Sequence, residues 1–238
     1  MKRLPFRGTL LNAALVALGG LVGMFAGGFL GSDIQTLVVN CMGLVTTLLA
    51  VKMALQTKNF VIVAVAVAGG ALVGTALHLP QGVEWLANWA KSQVGGGSNF
   101  TPTLITTSVL YCVGPMTLLG CIEDGLEGNI EILTMKSIMD GITAVFFAVG
   151  TGAALLVTAI AVLFFQSGLS AAARLLKPLA QDEELLHSMT GTGGALLLAT
   201  GLNLLGVAHF KTETLMPALA IAPMLTVLER RLTSKRVG

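Results

Sequence analysis

Lys136 and Asp140 are the two residues whose types and spacing say most about chemistry. They are four positions apart among apolar neighbours, so on a helix they share one face and can pair. Within a lipid-buried span, an isolated charge costs about 2.5–3.5 kcal/mol on insertion scales, and an ionisable residue there marks function by default. At a membrane face the same pair is ordinary. Glu123 and Asp124 belong to the densest acidic patch, Glu123-Asp124-Gly125-Leu126-Glu127-Gly128-Asn129. It reads either as a solvated turn or as a vestibule that attracts cations. Asn12, Asn40 and Asn203 fall inside apolar stretches. A buried Asn needs a partner, and interhelical hydrogen bonds average only about 0.6 kcal/mol, so the three are either helix glue or the polar lining of a solute path.

Two interruptions carry a second kind of chemistry. Gly114 and Pro115 lie in Tyr111-Cys112-Val113-Gly114-Pro115-Met116-Thr117, and Gly150, Thr151 and Gly152 break another apolar run. Proline removes a backbone donor, so a carbonyl one turn earlier is freed and needs a partner. Paired broken helices near mid-depth form ion and solute sites in transporters. A simple kink is the alternative. The reading predicts a shared polar cavity beside Gly114, Pro115 and Thr117 and beside Gly150, Thr151 and Gly152.

The other reactive side chains point to no reaction. His78, His187 and His209 are far apart, each near a helix end; Cys41, Cys112 and Cys121 sit in apolar runs without metal-type spacing and read as buried small hydrophobes. There is no HExxH, GxSxG or Walker A pattern. No catalytic residue, metal or cofactor is assigned, and the chain is not read as an enzyme.

The elements that hold these residues follow from composition. The 238 residues are 54% hydrophobic and 11% charged, with a mean hydropathy of +0.84. Soluble domains carry about 25% charged residues, so the apolar surplus here faces lipid. A net charge of +2 offers no basic surface for nucleic acid. About 20 apolar residues cross the bilayer as a helix, and helices are predicted near 8–29, 34–55, 59–79, 100–121, 186–207 and 212–228. Segment 129–170 is either one long helix or two meeting near Gly150-Thr151-Gly152, which gives seven or eight spans. With eight and the N-terminus inside, eleven Lys and Arg are cytoplasmic and only Lys91 and Lys211 are outside, so charge favours eight. Segments 80–94 and 169–181 read as amphipathic helices in the interface, the first followed by a Gly95-Gly96-Gly97-Ser98 hinge. The basic Met1 to Arg7 precedes an apolar run too long for a secretory signal, so it is read as a retained first span.

The whole chain, 1–238, is therefore expected to be one all-α polytopic bundle. Aligning 43–60 with 192–209 suggests repeat halves 8–79 and 141–228, inverted if there are eight spans. Gly19, Gly23, Gly27 and Gly31 place four glycines on one helix face, either for close packing within the chain or as a homodimer seam.

Several stretches carry a family resemblance: Gly8-Thr9-Leu10-Leu11-Asn12, Leu110 to Thr117, Asp124-Gly125-Leu126, Lys136-Ser137 with Asp140-Gly141, Gly201 to Leu205, and Leu215 to Leu219. They resemble the YdfK/YqgA-like family of bacterial inner-membrane proteins, a domain of unknown function. The resemblance implies a bacterial cytoplasmic membrane location and supplies no substrate or site. Three functions then compete: first, a transporter or channel for an unknown small solute or ion; second, a dimeric membrane scaffold or sensor; last, an embedded lipid-modifying enzyme with Glu123, Asp124 or Asp140 as acid or ligand.

Overall fold

A computed structural model describes residues 6–97 and 100–237; Lys2, Arg3 and Ser98 lie outside the described residues. In chain order the helices are α1 (Arg7–Gly27), α2 (Ser32–Ala54), α3 (Phe60–Ala76), α4 (Leu79–Val94), α5 (Phe100–Cys112) and α6 (Pro115–Glu127). Then follow α7 (Glu131–Thr151), α8 (Ala154–Ala171), α9 (Ala173–Ala180), α10 (Glu183–Leu204), a 3₁₀ turn (Thr212–Leu215) and α11 (Ala218–Val237). No strand occurs among the described residues. In hydrocarbon a backbone N–H or C=O has no water to turn to, and an uninterrupted helix pairs these groups within itself.

Four helices, α1, α2, α7 and α8, are long and apolar enough to cross a membrane, and there are six such units if each of two bent pairs counts as one. The bent pairs are α3 with α4, at 69°, and α5 with α6, at 60°. The first bend turns an apolar span into the amphipathic α4, whose Trp85 and Trp89 are exposed while Ala87 and Ala90 pack inward. The second replaces the single helix expected over 100–121. Segment 129–170 is two helices, not one: Gly152 has φ 63° and ψ −128°, a conformation that stops α7 and lets α8 start two residues later. Cys41 also departs from expectation, being exposed on α2, whereas Cys121 is buried.

The glycine stripe fixes how the helices run. A methyl group added at Gly19, Gly23 or Gly27 would strike the carbonyl oxygens of Gly141, Val145 or Val149 in turn. Contacts advance by four on both helices, so α1 and α7 lie parallel, backbone against backbone. Of the two readings of the stripe, packing within the chain is the observed one, and Gly19, Gly23 and Gly27 are not available as a homodimer seam. Gly31 meets nothing within 4 Å. Three other pairs run antiparallel: α1 with α8, α2 with α10, and α3 with α11, the last two again through glycines, Gly194 and Gly201 against α2 and Gly70 and Gly74 against Ala218 and Thr214.

At one end of the bundle, Asp182 caps α10 by accepting the N–H groups of Glu184 and Leu185 at 3.1 and 3.2 Å. Its carboxylate also pairs with Arg230 of α11. That guanidinium holds the Asp182 carboxyl down to about 2. Arg7, Lys52, Lys58, Arg174, Lys177, Arg230 and Arg231 occupy this end, while Lys91 and Lys211 lie at the other, where Lys211 pairs with Glu84 at 3.5 Å.

A leucine at Gly23 must push α1 off α7, at a cost of about 2 kcal/mol or more. Gly23→Leu should therefore lower the melting temperature of the detergent-solubilised protein sharply, and Gly31→Leu should leave it within a degree or two of wild type, about 0.5 kcal/mol or less.

Candidate functional site

The close approach of α1 to α7 brings two polar faces together. Lys136 and Asp140, one turn apart on α7, form an ion pair with Nζ–Oδ2 2.5 Å, their side chains 9% and 10% exposed. Asn12 of α1 donates to the same Asp140 oxygen at 3.1 Å. The Lys136 ammonium lies 5.8 Å from the centre of the Tyr111 ring, within cation–π range. The Tyr111 hydroxyl shares a 3.1 Å hydrogen bond with Thr143, whose own hydroxyl reaches the Asp140 carbonyl at 3.0 Å. Moving two charges out of water costs several kcal/mol each. Their attraction repays this only when the geometry is good and the remaining lone pairs are bonded.

Polar side chains continue the cluster in both directions. On the α5 side, Thr107 and Thr158 share a buried 2.7 Å hydrogen bond, and Thr107 also donates to the Thr103 carbonyl at 2.8 Å. Thr103 and Thr106 reach a crevice of about 690 Å³ at the end that carries Lys211. Glu84, Asn88 and Thr101 also line it. At the opposite end, buried Asp124 accepts the Gly8 N–H at 3.1 Å. A carboxylate at the first turn of α1 is favoured by the helix dipole. The acidic patch is thus divided: Asp124 is built into the bundle, while Glu123 accepts from Asn129 at 2.8 Å at the surface.

Of the three asparagines, only Asn12 joins the charged cluster. Asn40 and Asn203 both line the crevice. The Asn203 amide is fully engaged by the Phe210 backbone, donating to its carbonyl and accepting its N–H, each at 2.7 Å. At the Gly114-Pro115 break the freed carbonyl finds its partner: Thr117 donates to the Tyr111 oxygen at 3.2 Å. The expected common cavity does not form. Gly114 and Pro115 border a space of about 110 Å³ lined mainly by apolar side chains such as Phe165 and Leu169. Gly150, Thr151 and Gly152 border a separate cleft with Gln35 and Gly95 to Gly97. The first break lies inside the bent α5–α6 unit, whereas the second joins two separate spans, α7 and α8, beside the end of α1 at Gly27 and Gly28, which keeps them apart. Among the described residues no group of three or more His, Cys, Asp or Glu side chains can hold a metal ion.

Sequence reading missed Thr9, Thr107, Tyr111, Thr158, Gln166 and Ser170, all buried. A signal was present: Thr103, Thr107 and Tyr111 recur every four residues on α5, and Thr158, Gln166 and Ser170 fall at multiples of four on α8. Asn12 Oδ1 and both amide atoms of Gln166 are buried without a partner in the protein, and the hydroxyls of Thr9 and Ser170 have only the weakly bonding Cys121 thiol beside them. Each such atom costs about 1–3 kcal/mol, more than a core devoted to stability carries.

Breaking the ion pair and removing it should differ. Asp140→Asn leaves Lys136 uncompensated and should destabilise the protein by about 3–5 kcal/mol, read as a lowered melting temperature in detergent. The double change Lys136→Met with Asp140→Leu should melt within about 1 kcal/mol of wild type or above it, because apolar replacement of both partners removes the desolvation cost.

A profile of the family described as "Protein of unknown function (DUF554)" matches residues 7–227. The chain is 28% identical over 222 residues to the "Uncharacterized membrane protein YdfK" of Bacillus subtilis (strain 168), covering 91% of this chain and 94% of that protein. It is 29% identical over 221 residues to the "Uncharacterized protein YqgA" of Escherichia coli (strain K12), covering 90% and 94%. No solved structure matches.

Proposed function

The chain belongs to the DUF554 family of membrane proteins of unknown function, and we propose that within it this member is a transporter or channel for a small solute or ion. The observation that carries the reading is the Lys136–Asp140 pair, buried between α1 and α7 and hydrogen-bonded to Asn12. Charges in that position are costly, and a bundle that needs only stability is served as well by leucines. The solute path runs from the crevice beside Glu84 and Lys211, along Thr103, Thr107 and Thr158, past Tyr111 to the charged pair, and out beside Asp124. Because Lys136 and Asp140 satisfy one another at rest, a passing solute can exchange with either partner without leaving a bare charge in low dielectric.

The antiparallel pairing of α1 with α8, α2 with α10 and α3 with α11 supports inverted repeat halves 8–79 and 141–228, the arrangement through which transporters rock about a central site. Eight crossings with both termini cytoplasmic fit the direction of each helix and the gathering of basic residues at one end. The membrane is the cytoplasmic membrane of a bacterium, where retention of positive loops on the inner side sets orientation. A reporter fused to the C-terminus should be active only if its enzyme works in the cytoplasm; periplasmic activity of an alkaline phosphatase fusion would refute the eight-span arrangement.

Transport itself is tested in proteoliposomes with a panel of labelled ions, amino acids and neutral solutes. One of them should cross faster than through protein-free vesicles. The Lys136→Met, Asp140→Leu double variant, stable but without its charges, should lose that increment by about tenfold or more. Full flux in the double variant would reduce the pair to scaffolding.

A further inference from the structure

We infer that the interface of α1 and α8 holds the binding site for a small uncharged solute bearing both hydrogen-bond donors and acceptors, of the amide or polyol class. This rests on the transport reading above and names its cargo. The site is made by register. A Cβ at Gly20 would stand 3.0 Å from Leu155 Cβ, which fixes where α1 and α8 meet. Eleven residues back along α1 and eleven forward along antiparallel α8, about three full turns on each, Thr9 comes opposite Gln166. Asn12 is one turn from Thr9 on the same face, and Ser170 one turn from Gln166. Cys121 of α6 lies against the hydroxyls of both Thr9 and Ser170, so the third wall is close by.

All four polar residues are buried, Thr9, Asn12 and Gln166 with no exposure at all; Asn12 Oδ1 and both Gln166 amide atoms have no partner in the protein, and the Thr9 and Ser170 hydroxyls have only the weak Cys121 thiol, so the set is left to be satisfied by a ligand. The chemistry of the set selects that ligand. Gln166 Nε2 is a donor, Gln166 Oε1 and Asn12 Oδ1 are acceptors, and the Thr9 and Ser170 hydroxyls can be either. A cation would be met by the oxygens and leave the amide N–H groups unmatched. An anion would be met by the amide and hydroxyl donors and leave two carbonyl oxygens unmatched. A neutral solute with an N–H or O–H beside a C=O or ether-like oxygen satisfies the Asn12 and Gln166 atoms together and gives the two hydroxyls a stronger partner than the Cys121 thiol. The neighbouring charges do not change this, because Asp140 is matched by Lys136 and Asn12, and Asp124 by the Gly8 N–H.

Stopped-flow light scattering of proteoliposomes, with inward gradients of glycerol and of acetamide, tests the assignment. At least one of the two should enter faster than into protein-free vesicles. Gln166→Leu, nearly equal in volume, and Thr9→Val should each cut the increment by about tenfold, the equivalent of one or two lost hydrogen bonds. The melting temperature of Gln166→Leu should be no lower than that of wild type, since the change removes two unmatched polar atoms; Ser170→Ala is a second variant of the same kind. Undiminished entry in these variants would mean that the atoms serve only buried water, and would overturn the inference. Flux of rubidium or chloride with no entry of either neutral solute would overturn the cargo class and leave the transport reading standing. If nothing crosses at all, both fall.

Discussion

The contact of α1 with α7 is the constraint on which the rest of this molecule depends. Lipid supplies no hydrophobic force between helices, so their association relies on close packing and on hydrogen bonds across the interface. Gly19, Gly23 and Gly27 let the α1 backbone reach the carbonyls of Gly141, Val145 and Val149. Only at that separation can the short Asn12 side chain, two turns from Gly19, bond to Asp140. The glycines and the charged pair are therefore one device. The stripe sets the distance, and the polar contact near its end uses it.

Where the helices break, their lost hydrogen bonds can be followed. Pro115 has no N–H for the Tyr111 carbonyl, and Thr117 supplies a hydroxyl in its place. The end of α10 is closed by the Asn203 amide on the Phe210 backbone. Asn59 caps α3, accepting from Val61 at 3.0 Å. These side chains serve a backbone that cannot turn to water. Against that general economy, the unmatched atoms of Asn12 and Gln166, with the Thr9 and Ser170 hydroxyls that have only the Cys121 thiol, stand apart, and their place between α1 and α8 gives them a functional reading.

Charge is arranged on two scales. Across the whole bundle, the described basic residues gather at one end, with Lys91 and Lys211 at the other. Within it, Lys136 and Asp140 cancel locally, and Asp124 meets the positive end of α1. The first pattern orients the chain in the membrane, and the second keeps the interior neutral at rest. A neutral interior lined with hydrogen-bonding groups is suited to carrying uncharged polar molecules.

The sequence by itself determined that this chain is a helical membrane protein, because uncharged runs such as 8–32 and 59–83 are stable as helices in hydrocarbon whatever their neighbours. It also marked Gly114-Pro115 and Gly150-Thr151-Gly152 as interruptions, without deciding between a kink and a stop, and it placed Lys136 and Asp140 on one helical face, since these are properties of backbone and periodicity. Tertiary structure alone decided what those features meet. The glycine stripe of α1 is the same four-residue repeat whether it packs on α7 or on a second copy; the α7 register chose the former. The two breaks look alike as local sequence, yet one borders an apolar space and the other a cleft beside the end of α1. Gln166 sits in an apolar run, marked only by its four-residue spacing from Ser170 and its eight-residue spacing from Thr158. It joins Thr9 and Asn12 only because α8 folds back antiparallel to α1, and the pairing of residues so far apart in the chain is set by packing, not by either segment's own pattern.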